Sequence, residues 1–264
     1  MFGFFQRRRR EKIQSQPFPA DWREILGKRF PLFSILPAQD KTELEQLIQI
    51  FLAEKSFEGC GGLTLNDEIK VTIAAQACLL LLHRDTEVYP ELRSVLVYPS
   101  SYLAKITEHS SSGIVSEGDS HRLGESWQHG TVVLAWDSVA GGAININDGQ
   151  NVVIHEFAHQ LDQEDGLADG RPVMKSAEPF SERRARYLTW ARILSAEYQG
   201  LREKAAAGRK SVLDHYGATN PAEFFAVASE CFFEKPLQMQ RKHPELYAEF
   251  KNFYQQDPAS WREV

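Results

Sequence analysis

Val152-Val153-Ile154-His155-Glu156-Phe157-Ala158-His159-Gln160-Leu161-Asp162 is the stretch on which the reading of this chain turns. Residues four apart stack on one face of an α-helix, so His155 and His159 can aim two imidazoles at a single ion, with Glu156 beside it and within reach of a water. That is the H-E-x-x-H arrangement of zinc hydrolases. Val152-Val153-Ile154 ahead of the histidines, with Phe157, Ala158 and Leu161 interleaved, supply apolar flanks that bury the helix and turn the His155, Glu156, His159 edge toward a cleft. The competing reading is two histidines satisfied on a helix face with Glu156 solvated, and the spacing, the intervening Glu and the flanks weigh against it. Asp162, on the same stripe, suits accepting an imidazole's second N–H better than ligating.

A catalytic zinc site takes three protein ligands and leaves a fourth position for water, so one ligand must come from elsewhere. The best candidate lies in Tyr216-Gly217-Ala218-Thr219-Asn220-Pro221-Ala222-Glu223-Phe224-Phe225. Asn220 reads as an N-cap and Pro221 as a first helical residue, which puts Glu223 in the first turn of a new helix. Asn220 and Glu223 also have the spacing of a capping box, and spacing alone does not choose between ligand and cap. Glu230, seven residues on, shares the face of Glu223 and suits an outer contact to a ligand; ligation itself, or pairing near Lys235, are its alternatives. Tyr216 can donate its phenolic O–H to a developing oxyanion, or it can simply pack a turn.

Around these blocks the pattern is α+β. Leu44, Leu47, Ile48, Phe51 and Leu52 form one apolar stripe, and Asn66 caps a second helix with Asp67 and Glu68 in its first turn. Val71 to Leu82 reads as a buried core helix, about two-thirds of the ~18 residues a membrane span requires. Short β-rich runs follow at Ser94 to Tyr98, Gly113 to Val115, Thr131 to Trp136 and Ala143 to Ile146, which predict a small mixed or antiparallel sheet just ahead of the histidines. If Thr131 to Trp136 borders the cleft as a sheet edge, it can hold an extended peptide by strand addition. Tyr187, Trp190, Ala191, Leu194, Tyr198 and Leu201 mark a long helix. Residues 1–38, with prolines and the Arg7 to Arg10 run, read as an irregular arm packing Phe18, Trp22, Phe30 and Phe33 on the body; residues 39–264 read as one unit, helical over 39–90, sheet over 91–147 and active-site helices over 150–264.

Composition narrows the function classes. With 264 residues, 42% hydrophobic and 25% charged, the chain suits a globular protein with a substantial core, and a net charge of −6 speaks against nucleic-acid binding. Arg7 to Arg10 opposes that balance only locally, as a solvated charge run or a contact for an acidic partner. Cys60, Cys78 and Cys231 lack C-x-x-C spacing, which suits reduced thiols. The start lacks the apolar stretch of about 7 to 15 residues found in signal peptides, so the expected location is cytoplasmic, without membrane insertion. The acidic loop from Glu164 to Asp169 reads as a solvated turn, since it lacks calcium-loop spacing.

The segment His155 to Asp162, together with Tyr216 to Val227, resembles the bacterial Mlc titration factor A family of zinc metallopeptidases, distant relatives of the anthrax lethal factor catalytic domain. The likeness extends over most of the chain, including Trp22 and Cys60-Gly61-Gly62-Leu63; the polyarginine departs from it. The resemblance implies a mostly helical zincin-like fold and one zinc per chain, held by His155, His159 and Glu223. It makes Glu156 the general base and Tyr216 the oxyanion donor, while the outer roles of Asp162 and Glu230 rest on their helix positions alone. The implied activity is peptide-bond hydrolysis, aminopeptidase action included, on a peptide or protein substrate, with a sugar-responsive transcriptional repressor as regulatory partner. The alternative is a non-catalytic protein that sequesters a transcriptional regulator, against which the intact Glu156 argues.

Overall fold

Prolines punctuate the first part of the chain without breaking it. In a computed structural model describing residues 2–84, 87–100, 102–109, 115–122, 124–127, 130–174 and 180–262, α1 (Phe2–Gln14), α2 (Ala20–Arg29) and α3 (Pro31–Ile35) occupy the stretch expected to be irregular. Pro19 sits at the N-cap of α2 and Pro31 at the first turn of α3, positions where a missing N–H costs nothing. Phe30 and Phe33 are buried, and Phe18 and Trp22 pack on the same core, as their aromatic character predicted.

The chain continues through α4 (Ala38–Glu54), β1 (Ser56–Gly59) and α5 (Asp67–Leu79). Asn66 Oδ1 accepts the Ile69 N–H at 3.0 Å, the cap read from sequence. Arg10 of α1 reaches across to Glu54 with two hydrogen bonds of 2.7 and 2.8 Å and also pairs with Glu87. Arg10 is therefore a clasp between elements rather than part of a solvated run.

Among the described residues, five further strands and six further helices follow: β2 (Ser94–Tyr98), β3 (Tyr102–His109), β4 (Val115–Arg122), β5 (Gly124–Trp127), β6 (Thr131–Ala135), α6 (Trp136–Ile144), α7 (Val152–Asp162), α8 (Phe180–Ala206), α9 (Pro221–Glu234), α10 (Pro236–Lys242) and α11 (Pro244–Tyr254). The α+β class holds. One sheet has the order β1-β2-β6-β5, with β1, β2 and β6 parallel and β5 antiparallel to β6; β3 and β4 form a separate antiparallel pair. The main sheet is thus mixed and mostly parallel, because β1 returns to β2 through α5 and parallel neighbours need such crossovers. β6 is interior, so the edge beside α7 is β5, not the stretch from Thr131. Ala143 to Ile146 ends α6 and turns instead of forming a strand: Val139 and Ala143, four apart and buried, give that segment a helical face. Residues 113 and 114 lie outside the described residues. Among the described residues no helix is long and apolar enough to cross a membrane.

The core runs beneath the histidine helix. Val153, Ile154, Phe157, Ala158 and Leu161 are buried, so tertiary burial offsets the modest helix propensity of the β-branched start. Phe157 meets Tyr89 at a ring separation of 4.8 Å and Phe51 at 5.7 Å. Phe157→Ala is expected to lower unfolding free energy by about 3–5 kcal/mol, the usual cost of emptying a buried phenylalanine site. Urea denaturation measures it; a loss below about 1 kcal/mol would show that this contact does not anchor α7.

Candidate metal centre

Two helix starts build the site. Asn151 caps α7, its Oδ1 accepting the N–H groups of Val153 at 3.1 Å and Ile154 at 3.0 Å. Asn220 caps α9 in the same way, accepting the Glu223 N–H at 2.9 Å, with Pro221 in the first turn as read from sequence. The Glu223 backbone N–H serves the cap, while its carboxylate, which a full capping box would turn back to the Asn220 N–H, turns to the histidines.

The imidazoles of His155 and His159 sit 4.9 Å apart by ring centroid. Glu223 Oε2 lies 3.0 Å from His155 Nε2 and 3.4 Å from His159 Nε2. One potential ligand atom from each of the three residues falls within 4.8 Å of the others, a possible metal site. Donors at about 2.0–2.1 Å around a tetrahedral ion stand roughly 3.4 Å apart, so the cluster is close to the required size and has the required N, N, O donor set.

Electrostatics favour a cation at this point. Burial alone would raise Glu223 and lower His155, but their mutual hydrogen bonding outweighs it: His155 and His159 bring Glu223 to about 2, and Glu223 with Glu230 pushes His155 up to about 10. The charged pair is stable where isolated buried charges would not be.

Glu230 is buried on the far side of His155. Its Oε2 lies 3.2 Å from His155 Nδ1 and its Oε1 accepts the Asn151 N–H at 2.7 Å. With Nδ1–H donated to Glu230, Nε2 is the atom turned toward Glu223 and the ion position; its N–H meets Glu223 here, and a bound cation would displace that proton and take the lone pair. Asp162 is buried elsewhere on α7: its Oδ2 accepts the Gly170 N–H at 2.9 Å, and burial raises its carboxyl to about 6. It anchors the loop after α7 where Gly170, at φ +74, passes so close to Pro221 that an added Cβ would lie 2.5 Å from its carbonyl oxygen. Asp162 thus ties the exit of one site helix to the entrance of the other.

Glu156 is buried on α7, where its charge adds to the proton affinity of His155. Tyr216 stands in a single turn ahead of α9, half exposed, with its ring 5.9 Å from that of His155. All seven residues singled out from sequence therefore lie on α7, α9 or the turn preceding α9, and three of them (His155, His159, Glu223) bring potential ligand atoms together. Sequence reading missed Glu234, a second buried carboxyl on α9, whose Oε2 accepts the N–H groups of Gly149 at 2.9 Å and Gln150 at 3.1 Å. Burial raises it to about 8, with Asp148 opposite adding to the effect. Its offset of four residues from Glu230 was the available signal.

A family model described as glucose-regulated metallo-peptidase M90 matches residues 4–255. The chain belongs to this family. It is 40% identical over 251 residues to the uncharacterised protein slr2042 of Synechocystis sp., covering 95% of this chain and 89% of that one. It is 32% identical to Mlc titration factor A of Serratia proteamaculans (91% and 88% covered) and of Escherichia coli O1:K1 (90% and 86% covered). Membership in a metallopeptidase family implies a divalent metal, and His155, His159 and Glu223 form the cluster suited to it.

Proposed function

We propose that this chain is a zinc-dependent peptidase, with His155, His159 and Glu223 as the ligands of one zinc ion. The observation carrying the proposal is the approach of a single Glu223 oxygen to both histidine Nε2 atoms, at the spacing a tetrahedral ion requires. Bound there, zinc would polarise a peptide carbonyl and acidify water. Glu156 takes the proton from the attacking water and returns it to the leaving amine. Tyr216 donates its O–H to the carbonyl oxygen as negative charge develops there, and its exposure leaves it accessible from the cleft. Glu230 holds His155 in the ligating tautomer. β5, the antiparallel edge beside α7, is the strand on which an extended peptide would pair by main-chain hydrogen bonds; amino-terminal cleavage is the action proposed.

The same reading takes residues 1–38 as an arm on a single catalytic unit spanning 39–264. It places the protein in the cytoplasm, where free Cys60, Cys78 and Cys231 stay reduced. Two relatives are named for titrating Mlc, which supports a sugar-responsive transcriptional repressor as regulatory partner and keeps sequestration without catalysis as the second reading.

Metal analysis and peptide-library cleavage test the proposal together. The expected result is one zinc per chain, hydrolysis abolished by chelation and restored by zinc. Substoichiometric metal after zinc loading, or undiminished cleavage by the chelated protein, would overturn it.

A further inference from the structure

We propose that Glu234 and Asn151 form a positioning pair that sets the register of α7 against α9 and thereby the geometry of the metal centre. The inference rests on the reading that His155, His159 and Glu223 hold a metal. Glu234 touches none of those three. Its carboxyl receives donors from three consecutive residues, the Gly149 and Gln150 N–H groups on Oε2 and Asn151 Nδ2 on Oε1 at 3.1 Å. Asn151 is buried; its Nδ2 also donates to the Gly142 carbonyl at 3.2 Å, and two further contacts lead into the site: Oδ1 caps the first turn of α7, and its backbone N–H donates to Glu230, the partner of His155 Nδ1. One face of α9, at offsets of seven and four residues, therefore carries Glu223 on one nitrogen of His155, Glu230 on the other, and Glu234 on the strap from which α7 begins. The strap is gripped again by Arg262, whose guanidinium donates to Ile146 O at 2.9 Å and Asn147 Oδ1 at 3.2 Å.

The pair has a fixed polarity. Because Asn151 Oδ1 is committed to the cap, Nδ2 must face Glu234 and needs an acceptor there. A carboxyl supplies one whether or not it carries a proton; an amide nitrogen does not. Glu234→Gln, with its oxygen kept on the Gly149 and Gln150 N–H groups, sets two donors against each other. Asn151→Asp keeps the cap oxygen but removes the Nδ2 donor from both the Glu234 carboxyl and the Gly142 carbonyl, turning an acceptor toward each. N151D/E234Q together recreates a donor and an acceptor between the two side chains, with the direction reversed and the total charge unchanged, and leaves only the Gly142 carbonyl, 3.2 Å from Asn151 Nδ2 in the wild type, without its donor.

Zinc affinity by competition with a chromophoric chelator, the d–d absorption of the cobalt-substituted protein, and urea midpoints read the outcome. E234Q and N151D are each expected to weaken zinc binding about tenfold and to shift the cobalt spectrum, as outer hydrogen-bond partners of ligands do. The double variant is expected to bind zinc more tightly than either single, short of wild type because the Gly142 carbonyl stays without its donor, a non-additivity that marks a direct pair. Should N151D not fold, E234Q must still weaken zinc at least as much as E234A, which removes the contact without creating the conflict. Singles that bind zinc as wild type does, a double variant no better than either single, or lower urea midpoints with unchanged metal affinity and cobalt spectrum would each overturn the pair. Wild type that binds no stoichiometric zinc would instead remove the metal reading beneath it.

Discussion

Glu156→Gln is expected to lower peptide hydrolysis by about 10²–10⁴-fold, the usual contribution of a positioned general base, with zinc content unchanged. The amide matches the carboxylate in shape, which matters because Glu156 is buried on a closely packed helix. It cannot accept a proton from water. The variant also removes a negative charge near His155, a change that would loosen a cation slightly rather than expel it, since the three ligand groups are untouched. Initial rates on a peptide library, with metal content measured on the same sample, give the answer. Wild-type rates in E156Q would remove Glu156 from the reaction. An inert wild type that still binds zinc and retains a repressor partner would move the balance to sequestration.

Much of this site could be read along the chain because its parts are local. Asn220 and Pro221 announce the start of α9, and His155 and His159 lie one turn apart on α7, so caps and periodicity are enough to place them. Choosing between a capping box and a ligand for Glu223 was different: both readings use the same spacing, and only the packing of α9 on α7 shows that backbone and carboxylate serve separate partners. Glu234 offered only its offset of four residues from Glu230, since its donors, two backbone N–H groups and the Asn151 amide, lie more than eighty residues earlier and form no local pattern with it.

The fold divides along the same line. Helices with an apolar stripe, such as α4 and α5, were legible, and so were β2 and β6 as β-branched runs. Sheet direction was not, because parallel and antiparallel strands of four or five residues carry the same local pattern while the crossover decides. β1 escaped notice for want of apolar residues, with only Phe57 in Ser-Phe-Glu-Gly. The N-terminal prolines misled because Pro at a helix start and Pro in an irregular arm look alike until the following helix is seen.

Glu223→Ala is expected to weaken zinc binding by more than the about 10–100-fold that loss of an outer partner costs, and to abolish hydrolysis with it. The substitution removes the one oxygen facing both histidine Nε2 atoms but spares the helix, because the α9 cap uses the Glu223 backbone N–H and the Asn220 side chain. Thermal unfolding reports this directly: zinc at about 100 times its dissociation constant should stabilise wild type by roughly 2.7 kcal/mol, and the same concentration should leave E223A almost unshifted. Glu230 is the control. It approaches His155 from Nδ1 and is already engaged by the Asn151 N–H, so it cannot reach the ion from the side where Glu223 stands. Glu230→Ala should therefore keep a zinc-dependent shift, reduced to the extent of an outer contact. A full shift in E223A with none in E230A would exchange the two roles and place the ion on the opposite face of His155.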